Sequence, residues 1–138
     1  MSSQKQKSGT QTLDQRRAAH AWEAVQEAKR SDAPKKFGGQ AKKLPTRIIA
    51  AGLGQALVFL QAKKYSPLLL CVLGDWVLER RHKPESKTER PPEDALIQHI
   101  LNGTSEDMRM ATGETLAYLQ WLNRFADAEG LTDEEAEG

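Results

Sequence analysis

The sequence predicts an all-α protein, a compact bundle of about six helices in a single domain. No segment alternates between apolar and polar residues with the period of two that marks a half-buried strand. The apolar runs consist mostly of Leu and Ala, and their apolar residues recur at the i, i+3, i+4, i+7 spacing of a helix face. A chain of 138 residues is long enough for one hydrophobic core.

The first helix is predicted for residues 12–30. Thr12 and Gln15 have the spacing of a capping box, in which each side chain bonds the other's backbone. The residues before it, 1–11, are polar and are expected to form a disordered tail. The predicted buried face of this helix carries Ala18, Ala21, Trp22, Val25 and Ala28.

A central pair of helices is predicted for residues 38–51 and 53–64, apolar on most sides and therefore covered by the others. The preceding basic stretch 34–43 is interpreted as a hinge. Pro45 then lies near the first turn of the second helix or forms a kink within it. Gly52 is expected to end that helix in the left-handed conformation.

Three further helices are predicted for residues 67–81, 93–102 and 105–128. Ser66 followed by a proline is a favourable start for the first of them, and Thr104 or Ser105 caps the last. Residues 82–92 are expected to be an exposed, mobile loop. The helical domain thus spans 12–128, and 129–138 form an acidic, frayed tail.

The predicted core collects the inward positions of these helices. Its members are Trp22, Val25, Ile48, Leu53, Leu57, Leu60, Leu69, Val72, Leu73, Trp76, Leu119 and Leu122.

Charge is distributed unevenly along the chain, although the net charge is only +1. Residues 1–50 carry eleven basic and four acidic side chains, whereas residues 91–138 carry two basic and eleven acidic ones. This split favours an anionic partner for the first half and a basic neighbour for the end. The alternative is a set of solvated helix faces followed by a solubilising tail.

No catalytic, cofactor or metal site is predicted. The three histidines lie on different predicted elements, without a Cys or a second His at ligand spacing. Asp75, Glu79 and Glu114 are single carboxylates without a visible partner, and Cys71 sits in an apolar run as a small buried residue. The sequence leaves open residues that meet only in the fold.

Clusters of basic residues at helix ends and at the hinge are the candidate site. Such clusters can converge on a phosphate backbone without reading bases. The predicted nucleic-acid-binding residues are Arg16, Arg17, Lys42, Lys43, Arg47, Lys63 and Lys64.

A cytoplasmic location is expected. The single cysteine cannot form an intrachain disulfide, which favours a reducing compartment. The N-terminal residues have no apolar segment of the kind found in a secretory signal. No apolar stretch reaches the roughly 20 residues of a membrane span, so no membrane partner is predicted.

Three stretches resemble a known family. They are LDQRRAAHAWEAV at 13–25, FGGQAKKLPTRIIAAGLGQALVFLQAKK at 37–64 and MRMATGETLAYLQWLNRFADA at 108–128. Together they resemble the small subunit of the type III-B (Cmr) CRISPR effector complex, over about residues 13–128.

The resemblance implies a small helical protein without catalytic activity. Several copies stack head to tail along an RNA-guided complex, beside its backbone and large subunits, and help to hold the duplex of guide RNA and target RNA. The alternative from a different class is a helical adaptor that binds an acidic protein and no nucleic acid. Salt-dependent binding to generic RNA distinguishes the two.

Overall fold

The structure, a computed structural model, describes residues 10–83 and 89–132. Over this part of the chain there is no β-strand, and the all-α fold with six helices in one domain is confirmed. The helices are α1 (Leu13–Lys29), α2 (Pro34–Ala51), α3 (Leu53–Lys63), α4 (Pro67–Gly74), α5 (Ala95–Asn102) and α6 (Ser105–Ala128), and α4 continues into a π-helical segment (Asp75–Arg80).

Side-chain caps fix where the helices begin. The backbone N–H of Gln15 donates to Thr12 Oγ1 at 3.0 Å, and Gln15 Oε1 accepts from the Thr12 backbone, which completes the predicted capping box at α1. Ser66 caps α4 as predicted. At α6 the cap is Thr104, paired reciprocally with Asp107.

The interpretation of 34–43 as a hinge is wrong, because these residues form the first turns of α2. Pro34 occupies the first turn, where the missing N–H costs nothing. Phe37 and Ala41 are buried, so tertiary packing holds the helix together despite two glycines between them. Pro45 consequently lies inside α2 rather than in its first turn.

Gly38 is required by a close backbone approach. A Cβ atom at this position would lie 2.0 Å from the carbonyl oxygen of Leu131, a residue that follows α6 and is itself buried. The chain after α6 therefore packs against α2 for three residues beyond the helix end.

Gly52 separates α2 from α3, but not in the predicted left-handed conformation. Its φ of +89° and ψ of 156° fall in a region that is essentially restricted to glycine. Neither angle is helical, so α2 ends at Gly52 and the chain changes direction before α3 begins.

All six helices and the π-helical segment contribute to the core, and all the predicted core residues except one are buried. Trp22 is the exception, with 44% of its surface exposed. The buried face of α1 consists of Ala21, Ala24, Val25 and Ala28, whose small side chains bring α1 close to α6. An indole does not fit in so narrow a contact, and Trp22 lies at its edge.

The predicted helix 67–81 changes its winding at Asp75. Burial is continuous from Val72 in α4 through Asp75, Trp76 and Val77 in the π-helical segment. This winding directs a carboxylate and an indole toward the interior.

Parts of three predictions lie outside the described residues: 1–9 of the N-terminal tail, 84–88 of the loop and 133–138 of the acidic tail. In the described part of the loop, Arg90 is not a solvated residue. Its guanidinium donates to Glu27 at 2.5 Å and to Asp75 at 3.5 Å, which ties the chain before α5 to α1 and to the π-helical segment.

Candidate nucleic-acid interface

One surface of α2 and α3 combines cations with aromatic rings. The Arg47 guanidinium lies 4.7 Å and the Lys63 ammonium 5.7 Å from the ring centroid of Phe59. Lys36 lies 5.1 Å from the centroid of Tyr65, whose ring is 6.3 Å from that of Phe59. We call these five residues the basic–aromatic face.

Helix spacing explains how the face forms. Lys36, Lys43 and Arg47 are separated by seven and four residues, so they share one side of α2. Phe59 on the neighbouring α3 then lies between a cation of its own helix end, Lys63, and a cation of α2, Arg47. Each cation–π contact at an exposed site stabilises its geometry by about 0.5–1 kcal/mol.

Arg47 is further oriented by Gln40. Its Nη1 donates to Gln40 Oε1 at 2.7 Å, and Gln40 is buried in α2. No carboxylate in the described part of the chain forms an ion pair with Lys36, Arg47 or Lys63. The face therefore holds positive charge in defined positions without neutralising it.

Of the remaining predicted cations of α2 and α3, Lys43 shares the side of Lys36 and Arg47, whereas Lys42 lies about 100° around the helix from it. Lys42 and Lys64 are exposed, and Lys43 is half-buried. Lys64 ends α3 in a left-handed conformation with φ of 56°. Neither Phe59 nor Lys36 was predicted as part of the site, although both lie one or two helical turns from predicted members.

Arg17 and Arg16, the other two predicted residues, are engaged inside the fold. Arg17 donates two hydrogen bonds to the Glu114 carboxylate, at 2.7 and 3.0 Å, and a third to Asp14. Arg16 donates to the backbone carbonyls of Arg80 and Arg81 at the end of the π-helical segment. Their donors are thus used to join α1 to its neighbours.

These contacts belong to a buried polar cluster that sequence reasoning missed. His20 lies between Tyr118 and Asp75, with Nδ1 2.6 Å from the Tyr118 hydroxyl and Nε2 2.7 Å from Asp75 Oδ2. The indole N–H of Trp76 donates to Glu114 at 2.8 Å. We call this group the polar cluster; its members are Arg17, His20, Asp75, Trp76, Glu114 and Tyr118.

Both carboxylates of the polar cluster are held in their charged form. Burial by itself would raise the pKa of Asp75, but the hydrogen bond and charge of His20, with Arg80 and Arg90, lower it below its usual value. Burial likewise opposes the lowered pKa of Glu114, which results from the hydrogen bonds of Arg17 and Trp76. Burial raises the pKa of the Tyr118 hydroxyl well above its ordinary value.

The polar cluster has the composition of a catalytic site; its side chains are largely buried, although His20 and Trp76 also line a pocket of about 210 Å³. His20 Nε2 and Nδ1 lie within hydrogen-bond distance of the Asp75 carboxylate and of the Tyr118 hydroxyl, respectively. Both ring nitrogens are committed to internal partners, and a general base needs one of them to face the substrate. The His20 side chain is 9% exposed and that of Asp75 is 2% exposed. The arrangement therefore joins α1, the π-helical segment and α6.

Cys71 offers no reactive thiol, and it is half-buried rather than buried as expected. Burial raises the pKa of its thiol, which disfavours the nucleophilic thiolate. Among the described residues, no group of three His, Cys, Asp or Glu side chains could hold a metal ion.

The sequence did contain one signal for the polar cluster. Glu114 and Tyr118 are four residues apart within the apolar stripe of α6, and Arg17 and His20 are three apart beside the alanine face of α1. Polar side chains spaced by one turn along two apolar stripes predict a buried network between those helices. The pairing with Asp75 depends on the π-helical turn, which no local pattern indicates.

Comparison with known proteins identifies relatives of the whole helical domain. A family model described as CRISPR-associated protein (Cas_Cmr5) matches residues 13–129. The fold is similar to the crystal structure of a CRISPR-associated Cmr5 family protein from Thermus thermophilus, with a TM-score of 0.72 and 27% sequence identity. That match covers 89% of this chain and 100% of the other. Within the described residues, no helix has both the length and the apolar character to cross a membrane.

Proposed function

The chain belongs to the Cmr5 family of CRISPR-associated proteins, the small subunit of the type III-B Cmr complex, and from that premise we propose how it works there. It acts without catalysis of its own, in the cytoplasm. Several copies stack head to tail beside the backbone and large subunits. Each copy holds the duplex of guide RNA and target RNA through its basic–aromatic face.

The convergence of Arg47 and Lys63 on Phe59 carries this proposal. Two cations from different helices are fixed near one another, and no described carboxylate neutralises them. A protein that accepts any target sequence must contact phosphates and 2′-hydroxyls rather than base edges. Cations that are positioned but not paired to acids match that requirement.

The candidate residues divide by their contacts. We assign Lys42, Lys43, Arg47, Lys63 and Lys64 to the RNA surface, and we add Lys36. Arg16 and Arg17 we assign to the fold, because their guanidinium groups already donate to carbonyls and carboxylates. All three nitrogens of the Arg17 guanidinium donate to carboxylates, so it has little left to offer a phosphate; Arg16 donates through Nη2 alone, to backbone carbonyls.

The test uses Cmr complexes assembled with guide RNA and either the wild-type small subunit or the triple variant Lys42→Ala, Lys43→Ala and Arg47→Ala. We expect weaker capture of target RNA, by a similar factor for unrelated target sequences. The slope of log affinity against log salt should fall by somewhat less than one unit per lost contact. Free-subunit stability should fall by about 0.5–1.5 kcal/mol, the range for one hydrogen bond, because Arg47 loses its bond to buried Gln40.

The matched control removes the same charge elsewhere, with Lys29→Ala, Arg30→Ala and Arg109→Ala on α1 and α6. All three side chains are exposed and lie outside the basic–aromatic face. This control should retain the wild-type salt slope. If both triple variants assemble normally and bind target alike, Lys42, Lys43 and Arg47 do not belong to the RNA surface. Binding of an acidic protein, without binding of generic RNA, would support the adaptor function instead.

Absence of nuclease activity is tested on the pure subunit. Labelled single-stranded and double-stranded RNA, incubated with the protein and Mg²⁺ or Mn²⁺, should remain intact. The variants His20→Gln and Asp75→Asn are the informative ones, since they alter the histidine–carboxylate pair. RNA cleavage that copurifies with the protein and disappears in either variant contradicts the proposal.

A further inference from the structure

A small pocket lies between α1 and the π-helical segment. Its volume is about 210 Å³, which is less than the roughly 300–1,000 Å³ of sites for drug-sized molecules. Arg16, Glu23, Trp76 and Arg80 are among its lining residues, and we call it the arginine pocket. It shares no residue with the basic–aromatic face. A cavity of this size fits a small group or the end of a chain, rather than a duplex.

Arg16 is held in position while some of its donors stay unused. Its Nη2 donates to the backbone carbonyls of Arg80 and Arg81, and its guanidinium lies 6.0 Å from the ring centroid of Trp76. Neither Nη1 nor the enclosed Nε has a hydrogen-bond partner in the part of the chain that the structure describes. The guanidinium therefore offers donors from a defined position in the pocket wall.

Arg80, the last residue of the π-helical segment, supplies a second guanidinium, and its side chain is 31% exposed. Its Nε lies 3.9 Å from Asp75 Oδ1, which is too far for a hydrogen bond, and no other described acidic group pairs with it. Such π-helical turns occur frequently at functional sites. Here the turn brings a guanidinium without a hydrogen-bond acceptor to the same cavity as Arg16.

The acidic side chains nearby leave the arginine pocket with positive charge. Among the described residues that line it, Glu23 is the single acid against two guanidinium groups, and its side chain is exposed. Asp75 lies behind Arg80 but already has His20 and Arg90 as partners, at 2.7 and 3.5 Å. The pocket therefore favours an anion over a cation or a neutral group.

We propose that the arginine pocket binds a terminal phosphate group, either free phosphate or a phosphate monoester. Such a group carries a charge of about −1.5 to −2 at neutral pH and three strong acceptor oxygens. Two guanidinium groups with unused donors match both its charge and its acceptors. A phosphodiester inside a chain carries a single charge and continues on both sides, which suits an open groove and not a small cavity.

The experiment titrates the isotope-labelled full chain with inorganic phosphate, adenosine monophosphate and adenosine at constant ionic strength, followed by NMR. The backbone amides of Arg80 and Arg81 and the indole N–H of Trp76 report on the pocket. They should shift and saturate with both phosphate compounds, with a dissociation constant on the order of 1 mM or below. Adenosine, which lacks the phosphate, should leave them unchanged.

Two variants of the pocket should change the affinity in opposite directions. Arg80→Gln removes one guanidinium and should weaken phosphate binding by about tenfold, as expected for a lost hydrogen bond to a charged group. Glu23→Gln removes the acid and should strengthen binding by about twofold, since exposed charges act weakly. The control, Arg124→Gln, removes an exposed arginine of α6 outside the pocket and should bind as the wild type does. A gain in Glu23→Gln cannot arise from a damaged fold.

A short oligoribonucleotide with a phosphate at its end, compared with the same oligoribonucleotide ending in a hydroxyl, identifies the source of the phosphate. Contacts of the RNA backbone with the basic–aromatic face cancel in the ratio of the two affinities. A ratio well above one that falls to one in Arg80→Gln assigns the pocket to an RNA end, whereas a ratio of one with saturable binding of adenosine monophosphate assigns it to a free nucleotide or phosphate.

Three results would overturn the inference. They are the absence of saturable shifts with phosphate and adenosine monophosphate up to about 10 mM, equal binding of adenosine, and an Arg80→Gln variant that binds phosphate no more weakly than Arg124→Gln. The proposed RNA function is tested separately, because Arg80→Gln leaves every cation of the basic–aromatic face in place.

Discussion

The polar cluster and the basic–aromatic face contain similar residues in opposite circumstances. Both combine arginine with aromatic rings. In the polar cluster Arg17 is 17% exposed and its guanidinium meets two carboxylates, Glu114 and Asp14. On the basic–aromatic face Arg47 meets one amide oxygen and a ring, and no carboxylate among the described residues.

The difference shows that the pairing of an arginine, rather than its presence, decides its role. A buried guanidinium must be neutralised and its donors satisfied, or the fold loses stability. A guanidinium that lies against a ring at the surface keeps its charge available at little cost. Arg17 is therefore expected to act on folding and Arg47 on binding, and substitutions can separate the two effects.

Removal of Glu114 should produce the largest effect on stability. Glu114→Ala leaves the Arg17 guanidinium and the Trp76 N–H without their acceptor in a site that is almost closed to water. Breaking a buried pair in this way costs about 3–5 kcal/mol. Urea denaturation of the free subunit measures it. Glu106→Ala, which removes an exposed carboxylate at the start of the same helix, should cost less than about 1 kcal/mol.

Acid should lower the free energy of unfolding by less than Glu114→Ala does. A protonated carboxyl group still fills its space and retains some of its hydrogen bonds. The folded-state pKa values of Asp75 and Glu114 lie below their ordinary values of 3.8 and 4.5. Their contribution to stability is therefore present above about pH 4.5 and is lost as the pH falls through the lower folded values. Unfolding free energies measured from pH 6 downward should fall more steeply for the wild type than for Glu114→Ala. Parallel curves would show that Glu114 titrates alike in both states.

Arg17 and Arg47 provide the direct test of the comparison. Arg17→Ala should lower the unfolding free energy by about 1.5–3 kcal/mol, the range for hydrogen bonds to charged groups, and leave the RNA salt slope of the folded protein unchanged. Arg47→Ala should reduce the slope by somewhat less than one unit and lower the stability by about 0.5–1.5 kcal/mol, since its single hydrogen bond to Gln40 is lost. If the two variants exchange these effects, our division of the arginines is wrong.

The sequence predicted the starts of α1, α4 and α6 well because each of these boundaries is encoded locally. Thr12 with Gln15, Ser66 with its following proline, and Thr104 each specify a start within a few residues. The start of α2 was missed because the two glycines at 38 and 39 are unfavourable in a helix by themselves. They are tolerated because Gly38 allows the approach of Leu131, a contact between distant parts of the chain that no local pattern contains.

For the candidate sites, the sequence predicted only which residues share one side of a helix. The shared face of Lys43 and Arg47 follows from a spacing of four. The different roles of Arg17 and Arg47 do not follow from any spacing. Glu114 lies 97 residues from Arg17 and comes beside it only when α6 packs on α1. The histidine–carboxylate pair needs in addition a change in winding at Asp75, which depends on packing around Trp76. Local patterns therefore indicated which side chains were charged, but not which of them would be neutralised.

Phe59 should have the smallest effect, and it shows whether the ring does more than fill space. Phe59→Leu keeps an apolar side chain on α3 but removes the ring that holds Arg47 and Lys63. The two lost cation–π contacts stabilise the cation positions by about 1–2 kcal/mol in total. Part of this is recovered when Arg47 and Lys63 reach the phosphates without the ring, so RNA affinity should fall by roughly 2- to 5-fold. The salt slope should stay at the wild-type value, because every charge remains. Val58→Leu, at the adjacent exposed position, is the matched control and should leave affinity unchanged. A reduced slope in Phe59→Leu would mean that a cation has left the RNA altogether, and unchanged affinity would mean that Arg47 and Lys63 find the phosphates equally well without the ring.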